Sequence, residues 1–204
     1  MWIAVYGGGG TIGSRIVAEA LDRDHHVTVV TRHPADALPE GAVHRLGDAA
    51  DGDDVAKVAS EHHAVVSAIG PSRTGGRVET YLAALRTLAR NVGTRRLIVV
   101  GGAGSLFVAP GLRLLNTRDF PPEFRHEALA GLAALKQFKS GGGFVDWVYV
   151  SPAPAMAPGR RTGRYRVGSD MVLGQHISAE DYAVAILDEI EQPKHRREQF
   201  TVSD

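Results

Sequence analysis

The chain has 204 residues, 44% of them hydrophobic, with 23 Lys+Arg against 23 Asp+Glu, 24 Gly and no Cys. That length suits one α/β domain with a modest extension, and ordinary apolar content at zero net charge excludes a disordered chain. Zero charge also removes the electrostatic case for nucleic acid or an anionic membrane, and the lack of Cys excludes disulfides and thiolate chemistry.

Short, mostly apolar runs at Trp2–Tyr6, His26–Thr31, Val43–Leu46, 64–69, 97–101 and 146–150 predict strands, most of them buried on both faces. Between the first two, Ile12, Ile16, Val17, Ala20 and Leu21 share one face of a helix over Thr11–Asp22. Further helices are predicted over 51–61, over 76–91 with a stop at Gly93, and over 122–138. Residues 140–143, Ser followed by three Gly, predict a loop. Beyond Val150 the character changes: three prolines within 151–159, then a basic segment over 160–167 whose alternation predicts an extended strand or hairpin. A last helix is expected to open at Ser178, with Asp181 completing a capping box and Ile177 and Tyr182 a hydrophobic staple, and to close before Pro193. This β-α alternation argues for a parallel, doubly wound sheet. Residues 151–204 are expected to fold over its carboxyl edge, where ligands bind in open α/β sheets.

Met1 is followed at once by Trp2 to Tyr6 with no basic leader or cleavage-type junction, and the longest uncharged run, 97–112, is broken by glycines and a proline. A soluble cytoplasmic protein without a membrane partner is the expectation.

The sharpest signal is Gly7-Gly8-Gly9-Gly10-Thr11-Ile12-Gly13, set between a strand and a helix. It satisfies G-x-G-x-x-G through Gly8, Gly10 and Gly13, and G-x-x-G-x-x-G through Gly7, Gly10 and Gly13. Such a loop permits close backbone approach to a pyrophosphate and aims a helix N-terminus at its charge, so dinucleotide binding in a Rossmann-type fold is expected. The second strand ends at Thr31-Arg32-His33, where an NAD site would offer a carboxylate to the ribose 2′-hydroxyl. Arg32 instead offers a guanidinium fork suited to a 2′-phosphate, which favours NADP(H) over NAD(H).

Other chemistry is missing. There are 19 Arg but only 4 Lys (Lys57, Lys136, Lys139 and Lys194), and no Tyr is followed four residues later by Lys, so no Tyr-x-x-x-Lys acid pair exists. The histidines lack metal-ligand spacing, so no metal site is expected, and Gly102-Ala103-Gly104-Ser105-Leu106 has the wrong register for a nucleophile elbow.

The glycine loop, Arg32, Gly47-Asp48, the run Ser67-Ala68-Ile69-Gly70 and the terminal Ile177-Ser178-Ala179-Glu180-Asp181-Tyr182 together resemble the atypical short-chain dehydrogenases. Within these, the chain is similar to the NADH-flavin reductase group related to biliverdin reductase B and NmrA-like proteins. The later motifs carry that likeness: residues 99–106, Ala109-Pro110-Gly111, Asp119-Phe120-Pro121, Asp146-Trp147 and Ser151-Pro152-Ala153. The resemblance implies that Gly7 to Gly13, with Arg32, hold the cofactor phosphates; Thr31 and His33 beside Arg32 are further cofactor-site candidates, an exposed loop histidine being the alternative for His33. Gly47 and Asp48 would lie near the adenine, and Ser67, Ala68, Ile69 and Gly70 would line the ribose. Gly102, Ala103, Ser151, Pro152 and Ala153 would flank the nicotinamide. It departs from the group in having Gly8-Gly9 for Ala-Thr, and in having no evident lysine in the helix after the fifth strand, near His126 and Glu127.

Hydride transfer to a conjugated small molecule, with FMN or FAD as substrate rather than prosthetic group, fits both readings, because such transfer depends mainly on positioning. Water or a hydroxyl such as Ser105 would complete protonation. Leu106, Phe107, Leu112, Phe120 and Met156 are candidates for the acceptor pocket, with core packing the alternative for each. Two other activities suit the same scaffold: an NmrA-like redox sensor without turnover, and a quinone reductase or isomerase.

Overall fold

The computed structural model describes residues 1–34, 38–72, 76–141 and 145–204. In chain order its elements are β1 (Trp2–Tyr6), α1 (Thr11–Asp22), β2 (His26–Thr31), β3 (Val43–Leu46), α2 (Gly52–Glu61), β4 (Ala64–Ser67), α3 (Val78–Asn91) and β5 (Arg96–Val100). There follow β6 (Phe107–Ala109), β7 (Leu112–Arg113), α4 (Arg125–Gly141), β8 (Trp147–Pro152), β9 (Ala155–Ala157) and β10 (Arg166–Gly168). The chain closes with β11 (His176–Ser178), α5 (Ala179–Glu191) and β12 (Glu198–Ser203). An eight-stranded sheet has the order β10-β12-β8-β5-β4-β1-β2-β3, parallel throughout except for β10 against β12. No helix among the described residues is long and apolar enough to cross a membrane.

Side-chain alternation along each strand feeds two cores. Ile3 and Val5 of β1, Val148 and Val150 of β8 and Phe200 and Val202 of β12 meet α1 and α5 on one face. Ala4, Val65, Leu97, Val99, Trp147 and Tyr149 meet α2, α3 and α4 on the other. Each fully buried Val, Leu or Ile adds about 1.5–3 kcal/mol, so both helical layers are bound to the sheet by apolar burial. Asp51 caps α2, accepting from the amides of Asp53 and Asp54 at 3.0 and 3.2 Å, and Ser178 caps α5, accepting from the amide of Asp181 at 2.9 Å.

The chain departs from the sequence reading at several places. The fourth strand ends at Ser67, and the helix expected over 122–138 begins with a separate turn, Pro122–Phe124, before α4 runs on through Gly141. Ser140 and Gly141 are therefore helical rather than loop, and Gly142 and Gly143 lie outside the described residues. In the basic segment only Arg166–Gly168 forms a strand. The larger correction concerns the tail. Two of its strands enter the sheet itself, β12 pairing with β8 from Glu198↔Val148 to Val202↔Pro152 and β10 with β12, while α5 packs on α1.

Asp181 ties the basic segment to α5: its carboxylate, 4% exposed, accepts from the Thr162 amide and hydroxyl and from the Gly163 amide at 2.7–2.8 Å. Burial pushes this carboxyl up, but those hydrogen bonds outweigh it and hold it below its ordinary range. A lowered folded-state value means stability that is present above the unfolded value and is lost as pH falls through the folded one. Asp181→Asn is therefore expected to flatten the acid limb of a plot of thermal midpoint against pH below about pH 4. An unchanged limb would show that another carboxylate governs it.

Candidate functional site

The carboxyl edge brings the predicted loops together. Gly7, at φ +79°, turns the chain out of β1, and the Gly10 amide donates to Gly7 O at 3.0 Å. A Cβ on Gly13 would lie 2.1 Å from Gly7 O and 2.8 Å from Gly8 Cα, so α1 leaves the sheet with its backbone against the turn. A Cβ on Gly7 would lie 2.8 Å from both the carbonyl carbon and the oxygen of Ala68, which joins this turn to the loop after β4. The geometry thus selects the spacing Gly7, Gly10, Gly13. Gly8 has its own reason: a Cβ there would lie 2.9 Å from Val29 Cγ1, whereas one on Gly9 would meet nothing within 4 Å. No side chain caps α1 and no acid lies in its first turn, so the amides of that turn stay available to an anion. A cradle that a side chain would fill, ending in uncapped amides, fits a dinucleotide pyrophosphate.

Beside it, Thr31 donates to His33 O at 2.5 Å and contacts His44 Nε2 at 2.7 Å, which fixes the turn carrying Arg32. Arg32 is exposed and pairs with no carboxylate among the described residues. Gly47 donates to Thr31 O, and Asp48 accepts from the Ala50 amide at 2.9 Å through one carboxylate oxygen. Of the ribose set, Ala68, Ile69 and Gly70 reach the surface, but Ser67 does not. It is fully buried because strand alternation turns it to the same face as Val65.

Of the residues expected to flank the nicotinamide, Gly102 and Ala103 are half-buried, while Ser151 is sealed at 0% exposure and Ala153 at 2%. Ser105, the expected proton donor, is also buried, and its hydroxyl donates to Gly102 O at 3.0 Å. Gln199 of β12, a residue the sequence reading missed, donates through Nε2 to Ser105 Oγ at 2.8 Å and Ser151 Oγ at 2.9 Å. The amide thereby clamps the segment after β5 to the carboxyl end of β8. The signal was available: after Pro193, Gln199, Thr201 and Ser203 alternate with Phe200 and Val202 in a strand pattern. As arranged, Ser105 positions Gly102 and offers no free proton. Leu106, at 0% exposure, is core, whereas Phe107, Leu112, Phe120 and Met156 keep accessible surface.

The five tyrosines supply no surface acid. Burial pushes the hydroxyls of Tyr6, Tyr81, Tyr149, Tyr165 and Tyr182 above the ordinary range. Tyr149 donates to Gly131 O at 3.0 Å and Tyr182 to Val150 O at 2.7 Å. Lys136 is exposed on α4. A cleft of about 310 Å³ beside α1 is lined by Arg15 and Arg161, both already paired with Glu180 and Glu19 respectively.

A doubly wound parallel sheet with a glycine cradle after its first strand defines a Rossmann-type nucleotide-binding fold. Residues 7–193 match the NAD(P)H-binding family, and the chain belongs to that family, in the atypical short-chain dehydrogenase group. YwnB of Bacillus subtilis (strain 168) is 38% identical over 216 residues, covering 99% of this chain and 98% of that protein, and its name assigns no activity. A structure from Burkholderia pseudomallei, named "putative exported protein", is 38% identical with full coverage of both chains and a TM-score of 0.89. One from Streptococcus pneumoniae TIGR4, named "a putative NADH-flavin reductase", is 29% identical, covers 100% of this chain and 99% of that one, and has a TM-score of 0.88.

Proposed function

We propose that this protein is a cytoplasmic NADPH-dependent oxidoreductase that reduces a flavin or a flavin-like small molecule. One domain over residues 1–204 would do this, with the segment of 151–204 between β8 and α5 closing the acceptor side. The observation that carries the reading is the pairing of a pyrophosphate cradle at Gly7, Gly10 and Gly13 with hydroxyls of Ser105, Tyr149 and Tyr182 that are each committed to a backbone carbonyl. The name of the Streptococcus pneumoniae relative supports the choice of acceptor.

When bound, reduced nicotinamide supplies the hydride, so the chain's task is orientation and exclusion of water. The first-turn amides of α1 would hold the pyrophosphate, Arg32 the 2′-phosphate, and Ala68 to Gly70 the ribose. Gly102 and Ala103, fixed from behind by Ser105, Ser151 and Gln199, would form the wall of the reacting centre, with Phe107, Leu112, Phe120 and Met156 on the acceptor side. FMN or FAD enters as substrate, and the proton comes from solvent because the Ser105 hydroxyl is committed to Gly102 O.

Arg32→Ala is expected to weaken NADPH binding about tenfold to a hundredfold, the loss of one charge-assisted contact, and to leave NADH binding within about twofold. Fluorescence titration of both cofactors checks it, and equal affinities for NADPH and NADH in the unmodified protein would remove the basis for Arg32. For the activity itself, the protein is mixed anaerobically with NADPH and FMN, FAD or a simple quinone while nicotinamide oxidation is followed. A flavin-dependent rate is expected. No rate above the protein-free control with any of them would leave a dinucleotide-binding sensor in place of a reductase.

A further inference from the structure

Arg113 is placed unlike most of the buried and half-buried arginines. Arg23, Arg45 and Arg96 each meet at least two carboxylates and Arg15 meets Glu180, while Arg95 spends its guanidinium on the carbonyls of Ala59 and Ser60. Arg113, half-buried on β7, makes no ion pair among the described residues, not even with Asp170, whose carbonyl accepts from the Phe107 amide. Its guanidinium is nevertheless fixed. One terminal nitrogen donates to Ser105 O, and its central carbon lies 4.1 Å from the centre of the Phe107 ring. The Leu114 amide donates to Leu106 O at 2.8 Å, pressing β7 onto the turn that follows β5.

A partly desolvated cation without a counter-charge is costly unless an anion or water completes it. Here the ordering entropy of the long side chain is already spent by the Phe107 stack and the Ser105 contact, which leaves most of the guanidinium fork open to a phosphate or carboxylate. The location restricts the source. Ser105 backs Gly102, and Phe107 and Leu112 belong to the accessible acceptor wall, with Leu112 40% exposed.

We propose that Arg113 binds the phosphate of a flavin mononucleotide-type acceptor, so that the site selects phosphorylated over unphosphorylated flavin. This rests on the flavin-reductase reading but is tested apart from it, by binding. FMN and riboflavin share one ring system and differ in the phosphate. Quenching of flavin fluorescence is titrated with the unmodified protein and with Arg113→Gln and Arg113→Lys. The unmodified protein is expected to bind FMN at least about tenfold more tightly than riboflavin, the size of one charged contact. Arg113→Gln should bring FMN to the riboflavin level while riboflavin moves less than about twofold, and Arg113→Lys should recover part of the difference. Equal binding of the two flavins by the unmodified protein, no binding of either, or equal weakening of both in Arg113→Gln would overturn the proposal. A loss of NADPH affinity in Arg113→Gln would overturn it too, by assigning the cation to the dinucleotide. These titrations require no turnover, so a protein that binds FMN selectively but oxidises no NADPH would sink the reductase reading alone.

Discussion

Gly13→Ala is expected to weaken NADPH binding at least about a hundredfold, close to 3 kcal/mol, while Gly9→Ala stays within about twofold. The difference is steric. The Cβ of residue 13 would stand 2.1 Å from Gly7 O and 2.8 Å from Gly8 Cα, all of it backbone that cannot rotate aside. Either α1 moves away from the sheet or the Gly7 turn opens, and both misplace the first-turn amides. Residue 9 has open space within 4 Å of its Cβ position. Cofactor titration of the two variants, with circular dichroism to confirm that each is folded, compares them directly. Equal affinities would mean that the glycine loop does not hold the cofactor.

The second large effect lies at the opposite end of the sheet. Glu189 of α5, 4% exposed, receives the Arg96 guanidinium, the amides of Lys194 and His195 at 3.0 Å and His195 Nδ1 at 2.8 Å. Arg96, 8% exposed, also donates to Asp146 at 3.0 Å and to His195 O at 2.8 Å. One cluster thus joins the starts of β5 and β8 to the end of α5 and the approach to β12. Glu189→Ala removes the principal counter-charge of a buried guanidinium and strips two amides of their acceptor, which is expected to cost about 3–5 kcal/mol. That is a large part of the 5–15 kcal/mol typical of a domain. The solvent-exposed pair Arg77–Glu79, with side chains 81% and 73% exposed, is the control: Glu79→Ala should leave the urea midpoint nearly unchanged. Urea unfolding measures both. A Glu189→Ala loss no larger than that of Glu79→Ala would show that the cluster is only a crossing point of the chain.

The fold was legible because its signals were local. Apolar runs marked β1, β2, β4 and β5, and the Ser178 cap marked α5. The sheet's last parallel strand was not, because β12 is half polar, and only pairing with β8 makes a core strand of Glu198–Ser203. The site was legible at the level of loops but not of faces. Ser67 and Ser151 lie at the carboxyl ends of β4 and β8, yet strand alternation turns both inward, and Leu106 fills the core where its neighbour Phe107 keeps surface. Ser105 looked like a free hydroxyl until Gln199, 94 residues away, was found donating to it. Arg113 carried no sequence signal at all: what distinguishes it is a missing carboxylate, and ion pairs are settled only by packing.

The central claim is that the carboxyl edge acts by fixing one nicotinamide face against a flavin. It is tested most directly by anaerobic single-turnover reduction of FMN with NADPH deuterated at either the pro-R or the pro-S hydrogen. Flavin bleaching should match nicotinamide oxidation one for one, with a primary isotope effect from one of the two labels only. No bleaching, or the same isotope effect from both labels, would contradict the account.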